Sequence, residues 1–303
     1  MTLIQSDLNS LKSLPCFNGI VEVRLLTDGM SHTCVKVITV EQDFLAKKLN
    51  KDTANTEVFS ALTCSASGLS PTVIYHDTEW LVTVFITGTS LAKSELQSSS
   101  QISTALTLMA RIHLLEPPQN NQSFPTLDTA KSVNRLFTNP ASFNKHERLN
   151  LISVTETLTN DINAQIAHCD IPNVVCHGDL NFTNILIDNS QNPWLIDFEC
   201  THLAPVEFDL AMFTAVNNIL PNQLSKVVSV YSTLAPSYRV DYKLLNYYVL
   251  YSYFINGLWY LDNINDPKAD CDFRTLAIEQ WSAFDSYAIK QVVDFPKLLP
   301  IIY

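Results

Sequence analysis

The sequence predicts an α+β fold, with strands gathered toward the N-terminus and helices toward the C-terminus. Three observations predict it. Short apolar runs bounded by turn residues recur from Val21 to Ile86. Past Ile102 the apolar spacing becomes helical. A further pair of short apolar runs, Phe182–Ile187 and Trp194–Phe198, flanks the turn cluster Asp188–Pro193 and reads as a β-hairpin.

The elements follow in order. Val21–Leu26 and Thr33–Val40 read as strands, joined by Thr27-Asp28-Gly29-Met30-Ser31-His32. Phe44–Leu49 is the next strand. Its alternation sets Ala46 and Lys48 on one face, Leu45 and Lys47 on the other. Thr53–Leu62 is helix-like, with Glu57 as its one acid, and Gly68-Leu69-Ser70-Pro71 leads out of it. Trp80–Ile86 is a strand that ends at Thr87-Gly88-Thr89. The polar stretch Gln97–Gln101 leads into a helix whose spacing is marked by Ile102, Leu106, Met109, Ala110 and His113, and Pro117-Pro118 stops it. Tyr247–Leu261 is the most apolar run. It contains Ser252 and Asn256 and falls short of the ~18 residues of a spanning helix, so it reads as a buried helix rather than a membrane segment.

Composition narrows the function. A chain of 303 residues is long enough for two lobes with a sizeable core, and 47% hydrophobic with 16% charged residues describes a compact protein rather than a disordered one. The net charge of −11 argues against nucleic acid as a partner and favours a neutral or cationic small molecule. The seven cysteines are scattered without a C-x-x-C spacing, which indicates neither a disulfide framework nor a zinc site. No basic-then-apolar signal pattern opens the chain, so the expected location is cytoplasmic.

The chemistry is concentrated in Cys176-His177-Gly178-Asp179-Leu180-Asn181-Phe182-Thr183-Asn184 and Leu195-Ile196-Asp197-Phe198-Glu199. The predicted hairpin brings the loop before its first strand and the end of its second to one edge, so that Asp179, Asn184 and Asp197 are expected to converge. Phosphoryl transfer with Mg²⁺ and ATP needs such a set: a carboxylate to orient a hydroxyl and accept its proton, and hard oxygen ligands for the metal. The spacing H-x-D-x-x-x-x-N is that of kinase catalytic loops, with Asp197-Phe198 standing where those enzymes carry D-F-G. Gly178 after the histidine and Glu199 after Asp-Phe make the chain resemble the aminoglycoside phosphotransferase and choline kinase superfamily, small-molecule kinases with a protein-kinase-like fold. The resemblance is strongest over residues 174–212 and extends over about 22–290.

The resemblance implies a two-lobe, protein-kinase-like architecture, with a nucleotide-binding lobe over residues 1–88 and a catalytic and substrate-binding lobe over 89–303. It makes Asp179 the catalytic carboxylate, with His177 bracing its loop, Asp209 supporting that loop, and Asn184 and Asp197 as metal ligands. The turn holding Gly29 and Ser31 would cover the ATP phosphates. It has one glycine, and Asp28 should point away from them. One lysine should clamp the phosphates and pair with Glu57. A small residue and a lysine on one face fit V-A-I-K, which favours Lys48 and leaves Lys47 as the alternative. Backbone groups near Phe85 and Ile86 would meet adenine.

For the acceptor, Phe254-Ile255-Asn256-Gly257-Leu258-Trp259 resembles the W-G-L-W stretch of choline and ethanolamine kinases, whose aromatics box a quaternary ammonium. Phe284-Asp285-Ser286-Tyr287 also resembles that family. Asn256 replaces the first tryptophan, and Leu276 and Glu279 fall near expected box tyrosines. Glu199, Glu279 and Trp259 are the candidate contacts for an amine; core aromatics of a buried helix would read alike at Trp259. The expected activity is therefore ATP- and Mg²⁺-dependent phosphorylation of a hydroxyl on a small, amine-bearing metabolite resembling choline, ethanolamine or thiamine. The competing readings are an inactive kinase-like nucleotide-binding module and an aminoglycoside-type phosphotransferase. A protein kinase fits less well, because no A-P-E-like segment follows Asp197.

Overall fold

The computed structural model describes residues 5–26, 33–116, 124–136, 143–264, 272–291 and 295–301. These fall into two compact units that are not consecutive stretches of chain. The first comprises residues 1–112, 116–125 and 182–201, the second residues 113–115, 126–181 and 202–303.

The first unit opens with α1 (Gln5–Lys12), followed by β1 (Ile20–Leu26), β2 (Cys34–Thr39) and β3 (Asp43–Lys48). Then come α2 (Ala54–Ala66), β4 (Val73–His76), β5 (Trp80–Val84), β6 (Gly88–Ser90) and α3 (Ser98–His113), whose last residue groups with the second unit. The five strands β1 to β5 form an antiparallel sheet in the order β1-β2-β3-β5-β4. Alternation gives the sheet two unlike faces. Val35, Val37, Phe44, Ala46, Trp80 and Val82 lie on one and are sealed by Leu11 of α1 and Leu14 after it. Lys36, Leu45, Lys47, Leu81 and Thr83 share the other, as the register Lys36↔Leu45↔Thr83 and Lys47↔Leu81 requires.

The second unit begins with α4 (Thr129–Leu136) and α5 (Lys145–Cys169). Asn144 caps α5 by accepting the His146 and Glu147 N–H groups, while the Glu147 carboxylate accepts the Asn144 N–H. The strand β7 (Val174–Cys176) follows. The chain then crosses into the first unit for β8 (Ile185–Asp188) and β9 (Pro193–Leu195), which form a three-stranded sheet ordered β6-β8-β9. It returns with β10 (His202–Ala204), antiparallel to β7. The helices α6 (Val206–Val216), α7 (Leu224–Leu234), α8 (Tyr242–Asp262) and α9 (Phe273–Gln291) complete the unit. Its core is aromatic, with Phe213, Tyr231, Tyr248, Tyr251, Phe254, Trp281 and Phe284 fully buried. Among the described residues no helix is long and apolar enough to cross a membrane.

The expected hairpin is present but shorter than the sequence suggests. Phe182–Asn184 forms a turn of 3₁₀-helix and the strand starts at Ile185, while the second strand stops at Leu195. Asp188 makes the turn: its Oδ1 accepts the Ser190 and Asn192 N–H groups and its Oδ2 the Trp194 indole N–H.

Glu207, at the start of α6, is buried in this unit. Its Oε1 accepts the Asp241 N–H at 2.7 Å, and among the described residues its Oε2 has no partner. Burial, with the Asp241 charge adding to it, pushes its carboxyl up to about 7. The native state therefore holds a proton that the unfolded chain releases near 4.5, and stability should fall as pH rises from about 4.5 to about 7. Glu207→Gln cannot ionise. Relative to the unchanged protein it should gain on the order of 3 kcal/mol between pH 4.5 and pH 8. Urea melts of both proteins at the two pH values check this, and an unchanged difference would refute the assignment.

Candidate active site

In the first unit Lys47 is the organising charge. It is buried on the face of the sheet away from α1, and its ammonium binds the Glu57 carboxylate and, at 2.6 Å, Asp197 Oδ1. Glu57 comes from the first turn of α2 and is only 1% exposed, and Lys47 supplies the counter-charge that a buried carboxylate needs. Burial disfavours the lysine charge, but Asp197 and Glu57 outweigh it and hold Lys47 above the ordinary lysine range. This corrects the expectation for Lys48. Lys48 shares its face with Ala46 and the α1 contact, and its ammonium pairs with Asp7 of α1. Strand alternation separates the two lysines correctly, but it does not say which face a preceding helix covers.

Asp197 stands just beyond β9 in a left-handed conformation, φ 67°. A polar residue tolerates this conformation better than a branched one would. The Ile196 N–H donates to the Asn184 carbonyl at 3.0 Å, extending the β8–β9 pairing and holding Asn184 and Asp197 at one end of the hairpin. The two side chains offer carboxylate and amide oxygens without sulfur or imidazole, a donor set that fits Mg²⁺. Beside Lys47 lies a cavity of about 40 Å³, lined among others by Leu45, Ala61, Leu81, Thr83, Leu195 and Phe198. Farther along the same face Lys36 sits 4.0 Å above the Phe85 ring and 2.7 Å from Asp43. The Phe85 N–H is donated to the Asp43 carbonyl at 3.0 Å, which leaves the Phe85 carbonyl and the Ile86 backbone as the groups expected to meet adenine. Gly29 and Ser31, with the rest of the turn between β1 and β2, lie outside the described residues. Glu199 follows Asp197 and is half-buried in this unit.

In the second unit the loop carrying Asp179 hangs from a buried carboxylate. Asp209 accepts the His177 N–H at Oδ2 and the Gly178 N–H at Oδ1, each at 2.8 Å. His113 Nε2 lies 3.1 Å from the same Oδ2, while its Nδ1 meets the Tyr231 hydroxyl at 2.7 Å. Burial alone would raise the Asp209 carboxyl, but the hydrogen bond and charge of His113 and the Gly178 N–H hold it below the usual range. Gly178 turns the loop at φ 81°, a conformation that suits glycine. His177 is fully buried and its Nδ1 receives the Asp179 N–H at 3.4 Å. Asn217, at the end of α6, donates its amide to the Leu180 carbonyl at 3.0 Å, directly after Asp179.

His113, Cys176 and Asp209 bring ligand atoms within 4.8 Å of one another. They do not make a metal centre. Both histidine nitrogens are engaged, the thiol donates to the Ala204 carbonyl, and burial raises the Cys176 pKa well above the ordinary thiol.

The acceptor candidates of this unit lie on α8 and α9. Trp259 packs edge-to-face on Tyr260 and Phe273 at ring separations of 5.5 and 5.6 Å. Glu279 is exposed; its neighbour Gln280, not read from the sequence as part of the site, is buried and meets Asn256. The signal was available. Phe273, Ala277, Gln280, Phe284 and Tyr287 follow the helical period of the buried face of α9, so a carboxamide interrupts an otherwise apolar stripe.

A lysine–glutamate pair joined to the Asp of an Asp-Phe segment, and a buried aspartate suspending an H-x-D loop, are kinase-like constructions. The model of the phosphotransferase enzyme family matches residues 23–239. The chain belongs to that family. As a phosphotransferase it is similar in fold to solved kinases of small molecules. The choline kinase LicA from Streptococcus pneumoniae superposes with a TM-score of 0.69 at 15% identity, over 94% of this chain and 98% of the other. Plasmodium vivax ethanolamine kinase gives 0.65 at 15% identity, over 88% and 84%. Spectinomycin phosphotransferase, solved with ADP and spectinomycin, gives 0.55 at 16% identity, over 93% and 92%. No curated protein matches by sequence.

Proposed function

We propose that this phosphotransferase moves the γ-phosphoryl group of ATP to a hydroxyl of a small amine-bearing alcohol. The observation that carries the reading is the Lys47–Glu57–Asp197 cluster, since a buried lysine held between a buried glutamate and a partly exposed aspartate, beside a cavity, is placed to offer its charge to a ligand. Lys47 clamps the α- and β-phosphates, and Glu57 fixes Lys47. Phe85, through its carbonyl, and Ile86 offer their backbone to adenine, and Gly29 and Ser31 would cover the phosphates. Asn184 and Asp197 would hold Mg²⁺, which when bound neutralises charge on the phosphate oxygens. Asp179 orients the acceptor hydroxyl and takes its proton as the new O–P bond forms and the bond to the β-phosphate oxygen breaks, releasing ADP. His177, Asp209 and Asn217 keep that carboxylate in place. Glu199, Trp259 and Glu279 are the proposed contacts of the amine. The chain's acidity and the choline and ethanolamine kinases among its structural neighbours support an amine over other alcohols.

Mg²⁺ and ATP together should raise the melting temperature, by the equivalent of about 2.7 kcal/mol at a hundredfold excess over Kd, and ATP with a chelator should do much less. A panel of amino alcohols and aminoglycosides scored for ATP-dependent phosphorylation then identifies the acceptor. A melting temperature unmoved by Mg²⁺ and ATP would refute nucleotide binding, and a shift with no acceptor phosphorylated would indicate the inactive nucleotide-binding module instead.

A further inference from the structure

Three carboxamides run from the catalytic loop to the surface of α8. Asn217 holds the Leu180 carbonyl. Two residues back along α6, the Ala215 carbonyl accepts the Gln280 Nε2 at 3.2 Å. Gln280 in turn meets Asn256, whose Nδ2 donates to Gln280 Oε1 at 3.5 Å. The direction of this relay is fixed at its base, because a backbone carbonyl can only accept. Gln280 must turn its NH₂ toward Ala215, which leaves its oxygen for Asn256. Asn256 must then turn its own NH₂ inward and present its oxygen outward. Gln280 is 5% exposed, so reversing its amide would set oxygen against oxygen at Ala215 with no water to compensate, whereas Asn256 is partly exposed. The backbone beneath is equally fixed: a Cβ on Gly257 would stand 2.2 Å from Trp281 Nε1, so α8 sits too tightly on α9 to roll. Trp259, one turn along α8 and partly exposed, adds an aromatic ring to the same stretch of surface.

We infer that Asn256 Oδ1, held by Gln280, is a specificity element that accepts a hydrogen bond from an N–H of the acceptor substrate. The inference rests on the amine reading above and sharpens it: the substrate nitrogen carries at least one proton, and a fully alkylated ammonium is disfavoured. A quaternary nitrogen offers an apolar shell and leaves the carbonyl desolvated without a donor. Asn256 selects the substrate, and Gln280 is a positioning residue that acts through it.

The test is a series of 2-aminoethanol and its N-methyl, N,N-dimethyl and N,N,N-trimethyl derivatives, assayed with Mg²⁺ and ATP. Each methyl adds similar bulk, but only the last removes the final N–H. kcat/KM should therefore change gradually over the first three compounds and fall by roughly tenfold or more at the fourth. Asn256→Leu should erase that step. Gln280→Met should shrink it mainly through KM of the first three compounds, with the Mg²⁺–ATP melting shift retained in both variants as proof of folding. A smooth trend through the fourth compound, or a step that survives Asn256→Leu, overturns the inference while leaving the amine reading intact. If no member is phosphorylated or competes for the acceptor site, this inference falls, and the amine reading is decided by the wider panel of amino alcohols and aminoglycosides.

Discussion

Lys47→Ala should lower kcat/KM for ATP by roughly 10²-fold or more, the scale of losing one preorganised electrostatic contact to a reacting phosphate. Lys48→Ala should leave turnover largely intact. The stability effects should separate the two as sharply. Removing Lys47 takes the counter-charge from the buried Glu57 carboxylate, which costs about 3–5 kcal/mol. Removing Lys48 breaks a partly exposed pair with Asp7, worth about 1 kcal/mol or less. Because an unfolded enzyme is also inactive, the double variant Lys47→Ala/Glu57→Gln is the control. It removes the buried negative charge, so it should recover much of the stability and none of the ATP use. Chemical melts and steady-state rates on the three variants decide the matter. A Lys48→Ala enzyme with the larger rate loss would place the nucleotide on the α1 face of the sheet and refute the assignment.

That pair of lysines also shows what a sequence can and cannot disclose. Apolar runs bounded by turn residues located β1, β2, β3 and β5 to within one or two residues but left β4 unread, and period-2 alternation correctly put Lys47 and Lys48 on opposite faces. The choice between faces depended on α1. Its Leu11, with Leu14 just beyond, covers Val35, Val37 and Ala46, and its Asp7 draws Lys48 away. A non-local contact of this kind leaves no mark in the strand. Kinase-like spacing singled out Asp179, Asn184 and Asp197 as candidates, because such a reaction constrains which side chains can serve. The 3₁₀ turn at Phe182–Asn184 and the left-handed Asp197 were not legible, being local compromises between pairing and side-chain placement. On α8 and α9 the aromatic residues were visible as letters. The direction of the Asn256 amide was not, since it is set by a carbonyl on α6 far away in sequence.

Asp179→Asn and Asp197→Asn should separate chemistry from nucleotide binding. Asp179 follows a buried histidine and precedes a carbonyl tied by Asn217, so backbone and neighbours help to hold its position. An asparagine there keeps the volume and much of the hydrogen-bonding shape, and the loop should stay in place. What is lost is the proton acceptor. kcat should fall by roughly 10²-fold or more while Mg²⁺–ATP affinity changes little, the usual result of removing a positioned general base. Asp197 has a different environment. It shares Lys47 with Glu57, and its carboxylate is the proposed charged ligand for the metal. Asp197→Asn therefore removes a metal ligand and unbalances the lysine at once, and it should weaken Mg²⁺–ATP binding as well as turnover. Titration of Mg²⁺–ATP into both variants, beside rates with the best acceptor, distinguishes the roles. Full activity in Asp179→Asn, or nucleotide binding lost there and kept in Asp197→Asn, would reverse them.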